Sequence, residues 1–196
     1  MINHKYKCIF IHPNKCGGTS IEFHFAKKRR GIVDHSSLVS WQQDHPEEYK
    51  QYFKFGYVRN PWDRLVSDYH YSIQRKRGEG SNRGVSEGEQ MAKRSFADNM
   101  KDKNTRLNKR NKPVMSKRWF LDEDGKLGLD YVGRFENFNE DFKYICTQIG
   151  AEVMLPPHIK KSNHRPYWEY YDDESREIVA RKFHKDIEHF GYEFGK

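Results

Sequence analysis

Cysteine is scarce in this chain: three residues in 196, at positions 8, 16 and 146, an odd number without paired spacing. A disulfide framework and a cysteine-based zinc site are both excluded. Long apolar runs are missing too. Nothing approaches the ~18 residues that a membrane-spanning helix needs, and no charged-then-apolar leader opens the sequence, so the expected compartment is a reducing cytoplasm. There are no internal repeats and no long linkers, and a single domain over residues 1–196 is expected. Hydrophobic content is only 35%, yet aromatics reach 15%, so the core should be built largely from rings.

Acidic residues are outnumbered, 28 against 36 Lys and Arg, and the net charge of +8 is unevenly placed. Between residues 75 and 113, twelve Lys or Arg face five Asp or Glu, which leaves +7 there. Few large apolar residues occur in this stretch, and Met91, Ala92, Phe96 and Met100 give its only helical hints. We read it as a basic insertion at about residues 76–113, mobile or partly helical. It could serve as a cationic rim for an acidic acceptor, as a nucleic-acid arm, or only as a solvated loop.

Two short stretches carry most of the chemical information. The first is Ile9-Phe10-Ile11-His12-Pro13-Asn14-Lys15-Cys16-Gly17-Gly18-Thr19-Ser20-Ile21-Glu22; the second is Phe55-Gly56-Tyr57-Val58-Arg59-Asn60-Pro61-Trp62-Asp63-Arg64-Leu65-Val66-Ser67. Each reads as a buried strand, a tight loop carrying a cation, and the first turn of a helix. Helix N-termini present unpaired N–H groups and the positive end of a dipole, so this is the form of an anion site. In the first, Gly17 and Gly18 let the backbone approach a ligand, Lys15 can reach bound oxygens, and Thr19 and Ser20 offer hydroxyls. The lysine precedes the glycines, so the Gly-x-x-x-x-Gly-Lys-Ser/Thr order of nucleoside-triphosphate loops is absent. In the second, Asn60 suits an N-cap and Pro61 the first helical position. Trp62, Leu65, Val66, Tyr69 and Ile73 form the buried stripe of the helix. Arg59 and Ser67 together make a cradle for a phosphate dianion; Arg64 could do the same job, but is assigned to the helix exterior or to a pair with Asp63 or Asp68.

Further along, residues 118–121 and 129–135 read as two strands around an Asp-x-Asp-Gly turn that lacks the remaining spacing of a calcium loop. Phe138, Phe142, Ile145 and Ile149 mark an amphipathic helix closed by Gly150, and Asp172 caps a last helix carrying Ile178, Val179, Phe183 and Ile187.

These motifs, taken in order, resemble the sulfotransferases. Residues 10–20 look like the 5′-phosphosulfate loop of that family, and residues 59–67 like its 3′-phosphate motif. Tyr131-Val132-Gly133-Arg134-Phe135-Glu136-Asn137 and the closing residues 186–194 resemble the Golgi-type carbohydrate branch, and the lack of an anchor implies a soluble, bacterial-like member or an excised catalytic domain. The resemblance implies an α/β fold with a P-loop-like, mostly parallel central sheet of four or five strands flanked by helices. It also implies a donor, 3′-phosphoadenosine 5′-phosphosulfate (PAPS), with adenosine 3′,5′-bisphosphate (PAP) as product and no metal. By position, Lys15, Cys16, Gly17, Gly18, Thr19 and Ser20 would hold the phosphosulfate, and Arg59 and Ser67 the 3′-phosphate. Lys160, Lys161, Asn163, Arg165 and Arg134 are further donor-site candidates.

The implied reaction is direct in-line transfer of a sulfuryl group to a hydroxyl, most readily of a carbohydrate. Lys15 would be the electrophile at the bridging oxygen. A general base is also wanted. His35 is the first choice, in the setting Asp34-His35-Ser36-Ser37-Leu38, with His12, His70, Glu22 and Glu136 as the alternatives. The rival readings are a P-loop-like kinase, disfavoured by the missing loop order and magnesium-binding aspartate, and a nucleic-acid-binding protein using residues 75–113, disfavoured because stacking aromatics are nearly absent there. A third is an inactive relic that binds nucleotide.

Overall fold

A computed structural model describes residues 1–26, 36–74, 87–154 and 164–196. The chain divides into two compact units: Met1–Arg59 with Val114–Lys160, and Asn60–Pro113 with Lys161–Lys196.

The first unit carries a four-stranded sheet in the order β1 (Ile2–Asn3), β2 (Cys8–Ile11), β3 (Phe53–Val58) and β4 (Tyr131–Arg134). β2 pairs with β3, and β3 with β4, in parallel, whereas β1 is antiparallel to β2. The sheet is therefore mixed and only partly parallel. β1, two residues long, is too short to show a hydrophobic period, and it adds the antiparallel edge. The parallel β2–β3 pair needs a long crossover, which contains α1 (Gly18–Ala26), α2 (Leu38–Asp44) and α3 (Pro46–Gln51).

Both central strands are near-continuous apolar runs because both their faces are covered. All of β2 is buried, as are the last four residues of β3. The Phe10 and Phe55 rings stack at 5.1 Å, and α8 (Phe138–Gln148) packs Phe138, Phe142, Ile145 and Cys146 into the same core. Burial pushes the Cys8 thiol up to about 12 and Cys146 to about 11, so both act as apolar packing groups and not as nucleophiles. Of the two strands expected on either side of residues 122–126, the second forms as β4, whereas the first is reduced to a single bridge between Leu121 and Leu127. Trp119 and Phe120 are instead buried in a turn.

The second unit is helical among the described residues. α4 (Pro61–Gln74) buries Trp62, Leu65, Val66 and Tyr69. At its start the Asn60 Oδ1 accepts from the Trp62 N–H at 3.1 Å, while Nδ2 donates to the Tyr167 hydroxyl and the Glu193 carbonyl, each at 3.2 Å. Phe194 meets Trp62, Tyr167 and Tyr171 edge-on, so the closing residues clasp the head of this helix. The described part of the basic segment folds as α5 (Glu87–Ala92), α6 (Phe96–Lys101) and α7 (Arg106–Arg110), and Met91, Phe96, Met100 and Leu107 are buried. Residues 75–86 lie outside the described residues. α9 (Asp173–Lys182) and α10 (His184–Phe190) complete the unit, with Asp172 capping α9 through the Ser175 N–H at 2.8 Å.

Arg64 departs from its expected place. It is 2% exposed, donates to the Lys112 carbonyl at 2.8 Å, and lies 5.1 Å from the Phe183 ring centroid. Burial, with Lys112 and Arg64 nearby, holds the Lys182 ammonium down at about 8. Among the described residues, no helix is long and apolar enough to cross a membrane.

Candidate functional site

β2 ends at Ile11 and α1 begins at Gly18, so residues 12–17 must reverse the chain over a short span. Two of them do so in the left-handed region: Lys15 at φ 65° and Gly17 at φ 82°. Glycine adopts that geometry freely, whereas a lysine there costs roughly 1–2 kcal/mol. The corner is closely packed. A Cβ on Gly17 would meet the Phe138 ring at 2.7 Å, and one on Gly18 would lie 1.9 Å from the His12 ring. Cys16 is buried in the core beside Phe10 and Phe138, its Sγ 3.6 Å from the Asn14 carbonyl. It can therefore meet a ligand only through its main chain. The Ser20 N–H donates to the Gly17 carbonyl at 3.0 Å and opens α1.

The parallel register sets the loop beside its partners. Ile11 lies opposite Gly56, and Val58 opposite Arg134, so residues 12–17, Arg59 and Phe135 all follow the carboxyl ends of neighbouring strands. Ligands of open α/β sheets bind at this edge. Arg59 is 7% exposed; its Nη1 donates to the Lys15 carbonyl at 3.2 Å, and its guanidinium carbon lies 4.2 Å from the Phe135 ring centroid. A guanidinium over an aromatic face is held there by cation–π attraction, and its hydrogen bond to the Lys15 carbonyl adds a second tether. This bond also braces the loop at the residue with the costly backbone. The arrangement combines a helix N-terminus, a glycine corner and a tethered cation, and such a group can hold an anion.

The structure thus brings Lys15, Cys16, Gly17, Gly18, Thr19, Ser20 and Arg59 to one strand edge of the first unit. Ser67 lies on α4 in the second unit and is buried. His35, Lys160, Lys161 and Asn163 lie outside the described residues. Arg165 is exposed and pairs with Glu169 at 3.2 Å. Among the described residues, no group of three or more His, Cys, Asp or Glu is placed to hold a metal. Two partners of the loop were not foreseen in these roles: Phe135 beneath Arg59, and Glu22, whose Oε1 accepts from the His12 Nδ1 at 3.2 Å. Glu22 stands four residues after Gly18, one helical turn on, which was the available sequence signal.

His70 sits on α4 with its ring stacked on His164, centroids 5.3 Å apart, and Tyr170 meets both edge-on. Its Nε2 is buried without a hydrogen-bond partner among the described residues. Burial, and secondarily His164, holds this imidazole below its ordinary value near 6.5. The unfolded chain then binds the proton more readily, so the stabilisation is complete above about pH 6.5 and is lost as the pH falls below it. Melting scans from about pH 7.5 to about pH 5.5 should show a falling Tm. His70→Phe, which keeps a ring in the stack, should flatten that slope; an unchanged slope would assign the acid sensitivity to other groups.

A family model described as "Sulfotransferase family" matches residues 1–193, nearly the whole chain. No curated protein and no solved structure gives a match.

Proposed function

The chain belongs to the sulfotransferase family, and on that premise we propose that it takes the sulfuryl group from PAPS and passes it directly, in line, to a hydroxyl, most readily of a carbohydrate. The observation that carries this reading is the braced corner at the strand edge, where Arg59 reaches the Lys15 carbonyl and Gly18 is packed too closely for a Cβ. A phosphosulfate group suits such a corner because its oxygens can approach the main chain as well as the Lys15 ammonium.

PAPS, when bound, supplies an activated sulfuryl group with a phosphate leaving group. The N–H groups of Cys16, Gly17 and Gly18 and the Thr19 and Ser20 hydroxyls are the proposed donors around it. Lys15 offsets charge that builds on the bridging oxygen. The Arg59 fork recognises the 3′-phosphate, and Ser67 keeps the 3′-phosphate role that its motif suggests. His35 remains the residue proposed to take the acceptor proton, with His12 and His70 as the alternatives. The carbohydrate acceptor rests on the resemblance of residues 131–137 and 186–194 to the Golgi-type branch, and the basic segment favours an acidic one.

Thermal shift tests the donor. A ligand at a hundred times its Kd adds about 2.7 kcal/mol to folding stability. PAP should raise the Tm clearly, AMP less, and ATP with Mg²⁺ little. A larger response to ATP with Mg²⁺ would replace this reading by a kinase. Lys15→Met should lower sulfuryl transfer by about 10²–10³-fold while PAP still binds, because the lysine acts on charge that develops only during transfer.

A further inference from the structure

His12 follows β2 directly and precedes the loop, and Glu22 stands one turn into α1. Their hydrogen bond therefore spans the whole loop from its first residue to the helix behind it. A carboxylate oxygen only accepts, so Nδ1 is the donor in this bond. The His12 ring is 5% exposed and stacked on Phe10, with centroids 5.5 Å apart and 22° between the planes. Its other edge, at Cδ2 and Nε2, fills the place where a Cβ on Gly18, the first residue of α1, would stand. The ring is thus held by the core on one face, by Glu22 at Nδ1, and by the glycine corner at Nε2.

We propose that His12 is a positioning residue: locked by Glu22, it fixes the Gly17–Gly18 corner in the form that receives the anionic end of the donor, and it takes no proton from the acceptor. The proposal rests on the PAPS reading. A base needs access to the acceptor hydroxyl, whereas this imidazole is walled in by Phe10, Glu22 and Gly18. A strut needs enclosure, a partner on each side, and direct contact with the backbone it supports, and His12 has all three. The Glu22 bond matters because a ring held only by stacking on Phe10 could still slide across Gly18.

The test uses PAP binding by calorimetry on the full chain, with Tm measured for each variant. His12→Asn places an amide N–H close to the position of Nδ1 and can keep the bond to Glu22, yet it cannot titrate. His12→Phe keeps a ring against Gly18 but loses the bond, and Glu22→Ala loses it from the other side. The expected result is a PAP Kd raised at least about tenfold in His12→Phe and in Glu22→Ala, and within about threefold of the parent in His12→Asn, each tenfold being about 1.4 kcal/mol. Glu22→Gln, whose amide oxygen still accepts, should also stay near the parent. Unchanged binding in His12→Phe would overturn the proposal. So would equal losses in His12→Phe and His12→Asn, which would make the imidazole itself the essential group. Should His12→Asn bind PAP normally but lose transfer by about 10²-fold or more, His12 is the base and not the strut. Failure of the parent protein to bind PAP would instead remove the PAPS reading, and this inference with it.

Discussion

Arg59→Ala should abolish the preference for a 3′-phosphate: the Kd for PAP should rise about 100-fold or more and approach that for AMP. A hydrogen bond to a charged group contributes about 1.5–3 kcal/mol, so losing a two-pronged contact removes roughly 3 kcal/mol or more, and each 1.4 kcal/mol is a factor of ten. The same substitution removes the donor to the Lys15 carbonyl, so the loop also loses its brace at the residue with left-handed backbone. Arg59→Lys separates charge from shape. An ammonium restores the charge but neither the fork nor the guanidinium contact with the Phe135 ring, so the affinity for PAP should stay at least about tenfold weakened. The measurement is paired titration of each variant with PAP and AMP. Retained discrimination in Arg59→Ala would move the 3′-phosphate site elsewhere.

The second large effect should come from a single methyl group. In Gly18→Ala the new Cβ would lie 1.9 Å from the His12 ring, which is backed by the fully buried Phe10 and tied to Glu22. The imidazole is a rigid ring backed by a buried ring, so the corner itself must move. Overpacking of this kind costs about 1–3 kcal/mol of stability. PAP binding should fall by about 100-fold or more, because a shift of the first helical residue displaces the N–H groups around it. Thr19→Ala, one position along, should lose only a hydroxyl contact and stay within about tenfold. Pairing Gly18→Ala with His12→Ala opens room for the methyl group and should restore much of the Tm without restoring PAP affinity. Full recovery of both would show that the corner needs no strut.

The parts of the fold that were legible in the sequence are those where one force dominates. The strands expected at the head of each motif form as Cys8–Ile11 and Phe53–Val58 because each is a mostly apolar run, interrupted only by Lys54 and Gly56 in the second. The Asp172 cap and the Phe138–Phe142–Ile145 stripe were legible for the same reason. Where two tendencies compete, sequence patterns were less informative. Arg64 read as exterior because arginine usually is, yet its stem and guanidinium are covered through the Lys112 carbonyl and the Phe183 ring. The basic segment read as mobile or partly helical because its apolar residues are sparse, and its described part is three short helices. Each of its short helices needs only one or two of them, and Asn99 is buried beside them with its amide donating to the Met91 and Ser95 carbonyls. At the candidate site the residue types and their order were plain, whereas their orientation was not. Nothing local indicates that Cys16 turns inward, and the one-turn spacing from Gly18 to Glu22 places Glu22 behind the loop without indicating that His12 is its partner.

Position 15 places conformation and chemistry in opposition. Its left-handed backbone is one that glycine or asparagine would occupy more comfortably, so a library selected for heat resistance alone would drift toward those residues there. Its winners would be sturdier proteins lacking the ammonium on which turnover is proposed to depend, and a screen for durability in this scaffold would discard its function first.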